Sequence, residues 1–357
     1  MIMTKLENWM VDDMTGKQVR YLSPVPANSP TPEIVELYTQ VRREFQLVPP
    51  LTLFSPSAEL FDGVWRVLRE SLIIDGSVQR STLEAVSAAV SSINACPYCV
   101  DAHSGMLHAT SRHDVVDSLY ANDMSLIQDD ETRRIVQWAL ATKTPGAAIL
   151  ESPPFTVDQA PEIIGTAMVF HFINRMVSVF LSTSPMPVAF ESITLRKIAV
   201  RIFGATMAKK IVNREATNEP LGDSASLEHM PEDLKWALPC KSIALAFSHF
   251  SELMVQQEAQ YIPLSVANIV HKQLDLWLGE DMPMGNGWVD RLTDDLSGAD
   301  KQIAKLALLA ALAPYRVDDT VVSEFQAECP GDNALLAVTA WASFAAVRKV
   351  GTWMWQP

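Results

Sequence analysis

Apolar residues in this chain recur at three- and four-residue steps. Leu83, Val86, Val90 and Ile93 fall on one helical face, and Ile303, Leu306, Ala310 and Leu312 do so more loosely. The alternation of half-buried strands, bounded by Asn-Gly or Asp-Gly, hardly occurs, and 14 glycines are few for an all-β chain. The pattern predicts an all-α protein. Asp129-Asp130-Glu131 places carboxylates ahead of Ile135 to Ala141, where the positive end of a helix favours them. The longest apolar stretch, Ile163 to Ser182, carries His171, Asn174 and Arg175 near its middle. Those groups are costly in lipid, so the stretch reads as a buried helix and no membrane association is expected.

Two irregular regions divide the chain. Residues 20–33 hold Pro24, Pro26, Pro30 and Pro32 and read as a lead-in. Asn213 to Asp233, with Asn218-Glu219-Pro220-Leu221-Gly222-Asp223, reads as a linker. The expected domains are therefore residues 1–210 and 235–357, a larger first half and a smaller second. The halves echo one another. Asp130 to Leu140, Phe155-Thr156-Val157-Asp158 and Gly165 to Phe180 have counterparts in Ala299 to Leu309, Tyr315-Arg316-Val317-Asp318 and Leu336 to Trp353. In both, an aromatic follows an arginine by five residues: Arg175 and Phe180, Arg348 and Trp353. Amphipathic helices of similar length also look alike, but the order of features favours duplication.

Composition narrows the function. The 357 residues include 48% hydrophobic and 20% charged positions, ordinary for a folded soluble chain. The net charge is -14 with no basic run, so a nucleic-acid partner is not expected. Met1 to Asp13 has no apolar core of secretory-signal length, and a cytoplasmic location is expected. Of four cysteines, Cys240 and Cys329 stand alone and read as structural, while Cys96 and Cys99 form a close pair. In a reducing compartment such a pair is more often catalytic or metal-binding than structural.

The pair sits in Glu84-Ala-Val-Ser-Ala-Ala-Val-Ser-Ser-Ile-Asn-Ala-Cys96-Pro97-Tyr98-Cys99-Val-Asp-Ala-His103. Pro97 suits the first turn of a helix, putting Cys96 at the cap and Cys99 about one turn in. The free N–H groups there favour a thiolate. His103 follows Cys99 by four residues and shares its face, so one face holds a nucleophile, a second thiol able to resolve it, and a base. On a single straight helix Glu84 and Cys96 would lie about 18 Å apart. They meet only if the chain turns near Asn94-Ala95 and two helices fold together; Glu84 would then orient His103 and raise its basicity. Zinc is the bland alternative, with His103 and His108 as the nearest further ligands, but one pair and one near histidine make a poor ligand set. No glycine-rich loop follows a strand, so neither a nucleotide cofactor nor a metal is expected. His108, His113 and Asp101 read as surface groups, and Arg175 as pairing a buried carboxylate or orienting the site.

The segment resembles the signature of the AhpD-like alkylhydroperoxidases, in the carboxymuconolactone decarboxylase superfamily: Glu, eleven residues, Cys-x-x-Cys, three residues, His. Glu84, Cys96, Cys99 and His103 match every position. Given a Cys-x-x-Cys, composition alone would supply both Glu and His about once in a thousand. Phe170-His171-Phe172-Ile173-Asn174-Arg175 is similar to a later family motif, imperfectly. The resemblance covers roughly residues 50–185 and implies an AhpD-like helical fold, with Cys99 peroxidatic, Cys96 resolving, His103 the base and Glu84 its relay partner. It implies a small organic hydroperoxide as substrate, an external dithiol or protein reductant, and a homo-oligomer. Some members carry a histidine before the second cysteine, where this chain has Tyr98, which could supply a hydroxyl instead. Around Met282 to Trp288, where a second motif would fall, there is no cysteine, so the second half reads as a degenerate copy. The alternatives are a general dithiol–disulfide oxidoreductase serving a protein partner, using the same cysteines, and a superfamily lyase or decarboxylase, which would not need them.

Overall fold

The computed structural model describes residues 2–181, 226–228 and 230–355. Most of the expected linker, residues 213–225 and His229, lies outside the described residues, as does the expected boundary at 210. The first half contains α1 (Ile2–Gln18), α2 (Pro32–Glu44), α3 (Pro49–Thr52), α4 (Ala58–Leu68), α5 (Arg80–Ile93), α6 (Pro97–Ala109), α7 (His113–Ala121), α8 (Asp130–Ala141), α9 (Ala148–Glu151) and α10 (Ala160–Phe180). The second contains α11 (Lys241–Tyr261), α12 (Leu264–Leu276), α13 (Gly287–Leu292), α14 (Gly298–Leu312), α15 (Asp319–Glu328) and α16 (Asp332–Met354). Among the described residues there is no strand, only an isolated bridge between Val19 and Leu181. The fold is all-α, as the apolar periodicity predicts.

The longest apolar stretch forms α10, whose side chains are buried around nearly its whole circumference. Such a helix has no polar face to offer water and belongs at the centre of a core. It packs against α5 on one side and α16 on another, while α4 packs on α11. Gly63 permits that second crossing: a Cβ there would lie 2.8 Å from Leu253 and 2.9 Å from Phe250. One continuous hydrophobic core runs through both halves. Asp129 caps α8, its carboxylate accepting from the Thr132 amide at 2.8 Å. This is the start that the run of carboxylates predicts.

The turn that matters most joins α5 to α6. Asn94 ends α5, and Ala95 turns into the left-handed region at φ 50°. The Ala95 amide donates to the Ser92 carbonyl and the Cys96 amide to the Ser91 carbonyl, both at 3.0 Å. Those two bonds satisfy the carbonyls that a helix end leaves orphaned. Cys96 is the cap of α6 and Pro97 its first residue, where a missing N–H costs nothing. A glycine would take the left-handed position without the Cβ penalty. Ala95→Gly is therefore expected to raise stability by about 1 kcal/mol in urea denaturation. A loss of stability would contradict this account of the turn.

Candidate active site

The turn at Asn94-Ala95 folds α6 back along α5 and closes the 18 Å gap that a straight helix would leave. Two close pairs result on one hairpin. The Cys96 and Cys99 sulfurs, both reduced, lie 2.9 Å apart. Glu84 on α5 meets His103 on α6, with Oε2 and Nδ1 2.6 Å apart. His103 hydrogen-bonds neither sulfur, although it follows Cys99 by one turn on the same helix. Both sulfurs are nearly shut off from solvent, with 2% of Cys96 and 3% of Cys99 exposed.

Glu84 is fully enclosed, and burial alone would raise its pKa. The Arg80 guanidinium beside it and the hydrogen bond with His103 outweigh that cost and hold the carboxyl at about 2. Arg80 Nε donates to Oε1 at 2.7 Å from one turn earlier on α5. An ionised carboxylate can only accept, so His103 must donate through Nδ1. In the neutral ring Nε2 then carries the lone pair, the form a proton acceptor needs. The ring is steadied by Phe170 of α10, edge to face at 4.4 Å between centroids.

Because Glu84 titrates below its ordinary value, its contribution to stability is complete above about pH 4.5 and is lost as pH falls toward 2. Wild type and Glu84→Gln are expected to converge in stability across that acid window, measured by denaturant titration. A gap unchanged between pH 4.5 and 2 would contradict an ionised Glu84.

The Cys99 thiol differs from the sequence expectation. Burial pushes it well above the usual thiol range, helped by the neighbouring Cys96 sulfur, while the Asn174 side chain pulls the other way. A helix N-terminus favours a thiolate, but here the loss of water around a shielded sulfur is the larger effect.

Behind the sulfurs, α10 supplies a network that local spacing does not announce. Asn94 Nδ2 donates to Asn174 Oδ1 and to His171 Nδ1, each at 3.0 Å. Asn174 Nδ2 donates to Ser91 Oγ at 3.1 Å. The Thr142 hydroxyl donates to the Ala139 carbonyl at 2.8 Å, so it accepts from His171 Nε2 at 2.9 Å. His171 is thus a neutral donor at Nε2 and acceptor at Nδ1. Burial, with Arg175 and Lys143 nearby, keeps its pKa well below the ordinary histidine value. The network pins the hairpin turn to α10.

Several individual expectations meet a different environment. Arg175 pairs no carboxylate; Nε donates to the Ala311 carbonyl at 3.0 Å and Nη1 to the His171 carbonyl at 2.7 Å. A cation at the end of α14 is well placed there, and the contact ties the halves together. Asp101 is buried, 2% exposed, and accepts from the Tyr120 hydroxyl at 3.4 Å because α7 covers that side of α6. Tyr98 donates to Gln18 Oε1 at 2.8 Å, and burial with the two neighbouring sulfurs raises its pKa, making it a poor proton source. His108 and His113 lie at the surface, their Nδ1 atoms 2.6 Å apart. Among the described residues no group of three or more His, Cys, Asp or Glu converges on a common point. Arg80 escaped the sequence reading, although its four-residue spacing to Glu84 was the available signal.

The chain is 35% identical, over 341 residues, to the alkyl hydroperoxide reductase Rv2159c of Mycobacterium tuberculosis, covering 95% of each chain. It belongs to the AhpD-like alkylhydroperoxidase family. The crystal structure of an alkylhydroperoxidase AhpD core, an uncharacterized peroxidase-related protein from Ralstonia eutropha JMP134, is similar over 53% of this chain and 96% of that one. It has 18% identity and a TM-score of 0.41. No family model matches the chain. Membership of this peroxidase family makes the hairpin, with its two sulfurs and its imidazole, the place to look for chemistry.

Proposed function

We propose that the protein reduces small organic hydroperoxides, with Cys99 peroxidatic, Cys96 resolving, His103 the general base and Glu84 its orienting partner. One observation carries the reading: the hairpin that sets the two sulfurs 2.9 Å apart also turns His103 so that its free Nε2 faces away from Glu84. Cys99 is a thiol at rest, so a base has to take its proton as the reaction proceeds. His103 does so through an oxygen lying between them, of the hydroperoxide or of water.

The thiolate then attacks the terminal peroxide oxygen and the O–O bond breaks. The departing alkoxide receives the proton held by His103 and leaves as an alcohol. Cys99 is now a sulfenic acid. The Cys96 sulfur attacks the Cys99 sulfur, water leaves with the thiol proton, and a 96–99 disulfide remains. An external dithiol or protein reductant returns the pair to thiols. We also propose a homo-oligomer, and a second half that is a degenerate copy without redox residues. The packing of α10 against α16, the matching long helix of the second half, supports the duplication.

A general dithiol–disulfide oxidoreductase would use the same sulfurs without peroxide preference. Stopped-flow oxidation of the reduced pair by cumene hydroperoxide and by a protein disulfide separates the two. Faster reaction with the hydroperoxide is expected, and the reverse order would favour the oxidoreductase.

A further inference from the structure

A cavity of about 390 Å³ lies in the second half, between α11, α12, α16 and the short turn of 3₁₀ helix at Glu232–Ala237. Neither sulfur of the hairpin borders it, nor does His103. Met254, Leu274, Trp341 and Phe344, all buried, make an apolar floor, and charged side chains stand around it. Most of those charges are already paired. Arg348 grips Asp233 with two parallel bonds, Nε to Oδ2 at 2.7 Å and Nη2 to Oδ1 at 2.5 Å, so the two charges cancel. Lys349 Nζ donates to the Asp275 carbonyl at 3.3 Å, in the last turn of α12, where a cation offsets the negative end of the helix. Glu258 is different. Its Oε2 accepts from Trp341 Nε1 at 2.8 Å, a neutral donor, and among the described residues no cation pairs with it.

We propose that this cavity binds a small organic cation, a protonated amine on an apolar body, with the ammonium at Glu258 and the body on the floor of Trp341 and Phe344. The site needs no redox group and stands apart from the peroxide chemistry proposed above. Three observations favour such an occupant. The cavity falls within the roughly 300–1,000 Å³ range of small-molecule sites. Its floor is apolar and partly aromatic, and His271 packs edge to face on Trp341 at 5.7 Å between centroids, which holds the indole in place from α12.

The third is the sign of the charge left over. An anionic ligand would find Arg348 already held by Asp233 and Lys349 already drawn to the end of α12, and would meet the Glu258 carboxylate with like charge. A neutral ligand would cover that carboxylate without supplying a counter-charge, which is costly away from water. An ammonium meets both a carboxylate and the electron-rich faces of the aromatic floor, and each attraction strengthens as water is displaced.

The test is calorimetric titration of the full-length chain with 2-phenylethylamine, and with 3-phenylpropionate, which carries the same ring on a carboxylate. The amine is expected to bind at a single site, and the carboxylate about tenfold more weakly or not at all. Glu258→Gln keeps an amide oxygen for the Trp341 N–H and removes only the charge, so it should weaken the amine about tenfold. Glu252→Gln removes an equal charge from an exposed position of α11 outside the cavity and should leave the affinity within about twofold, since exposed charges are screened. Val255 stands in the wall with 61% of its surface exposed, so Val255→Trp should block the amine without disturbing the core. It decides the matter if Glu258→Gln lowers the midpoint of thermal unfolding. Failure of the amine to bind, equal binding of the carboxylate, or full affinity in Val255→Trp would each overturn the assignment. So would equal losses in Glu258→Gln and Glu252→Gln, which would reduce the effect to diffuse attraction by a chain of net charge -14.

Discussion

Cys99→Ser is expected to lower hydroperoxide turnover by roughly three orders of magnitude or more, because a hydroxyl at neutral pH is a far weaker nucleophile than a thiolate. Cys96→Ser should behave differently. Its first turnover proceeds at close to the wild-type rate, since Cys99 and His103 are untouched, but the sulfenic acid then has no partner sulfur 2.9 Å away. Cycling stops after one equivalent, and a sulfenate-trapping reagent labels Cys99. Equal loss of the first turnover in both variants would contradict the division of roles. Retention of cycling in Cys99→Ser would contradict the peroxidase reading altogether.

His103→Gln is expected to cost roughly 10²–10³-fold in the rate of Cys99 oxidation at pH 7, the usual worth of a positioned base. The pH dependence tells base from bystander. Burial pushes the Cys99 pKa up, so without the imidazole the reactive thiolate has to form unaided. The variant's rate should then climb about tenfold per pH unit through the neutral and mildly alkaline range, and the deficit against wild type should shrink as pH rises. A deficit that is the same at every pH would mean that His103 only holds the hairpin together through Glu84 and Phe170.

Much of this architecture was legible before any coordinates. The apolar steps along α5 and α14, the carboxylate cap of α8 and the buried character of α10 are local properties, and local spacing reports them well. The hairpin was legible too. The Glu84-to-Cys96 distance demanded a break, and Asn94-Ala95 was the place for one. What escaped is non-local. Asn94 and Asn174 meet from 80 residues apart, and Arg175 reaches a carbonyl 136 residues away. Asp101 looked like a solvated residue because nothing in the sequence near it says that Tyr120 and α7 will cover it. The Cys99 thiol was misjudged for the same reason. A helix N-terminus is visible in the sequence, whereas the burial that outweighs it depends on how the core closes around the sulfur. The cavity beside Glu258 could not be foreseen either, since its walls come from three separate helices.

The most direct test counts thiols. Reduced protein is treated with one equivalent of an alkyl hydroperoxide and its free cysteines are titrated, with peptide mapping of the product. Loss of two thiols and appearance of a 96–99 disulfide is the predicted result. Four thiols still free, or oxidation spread over Cys240 and Cys329, would mean that the sulfurs on this hairpin are not the peroxide-reactive pair.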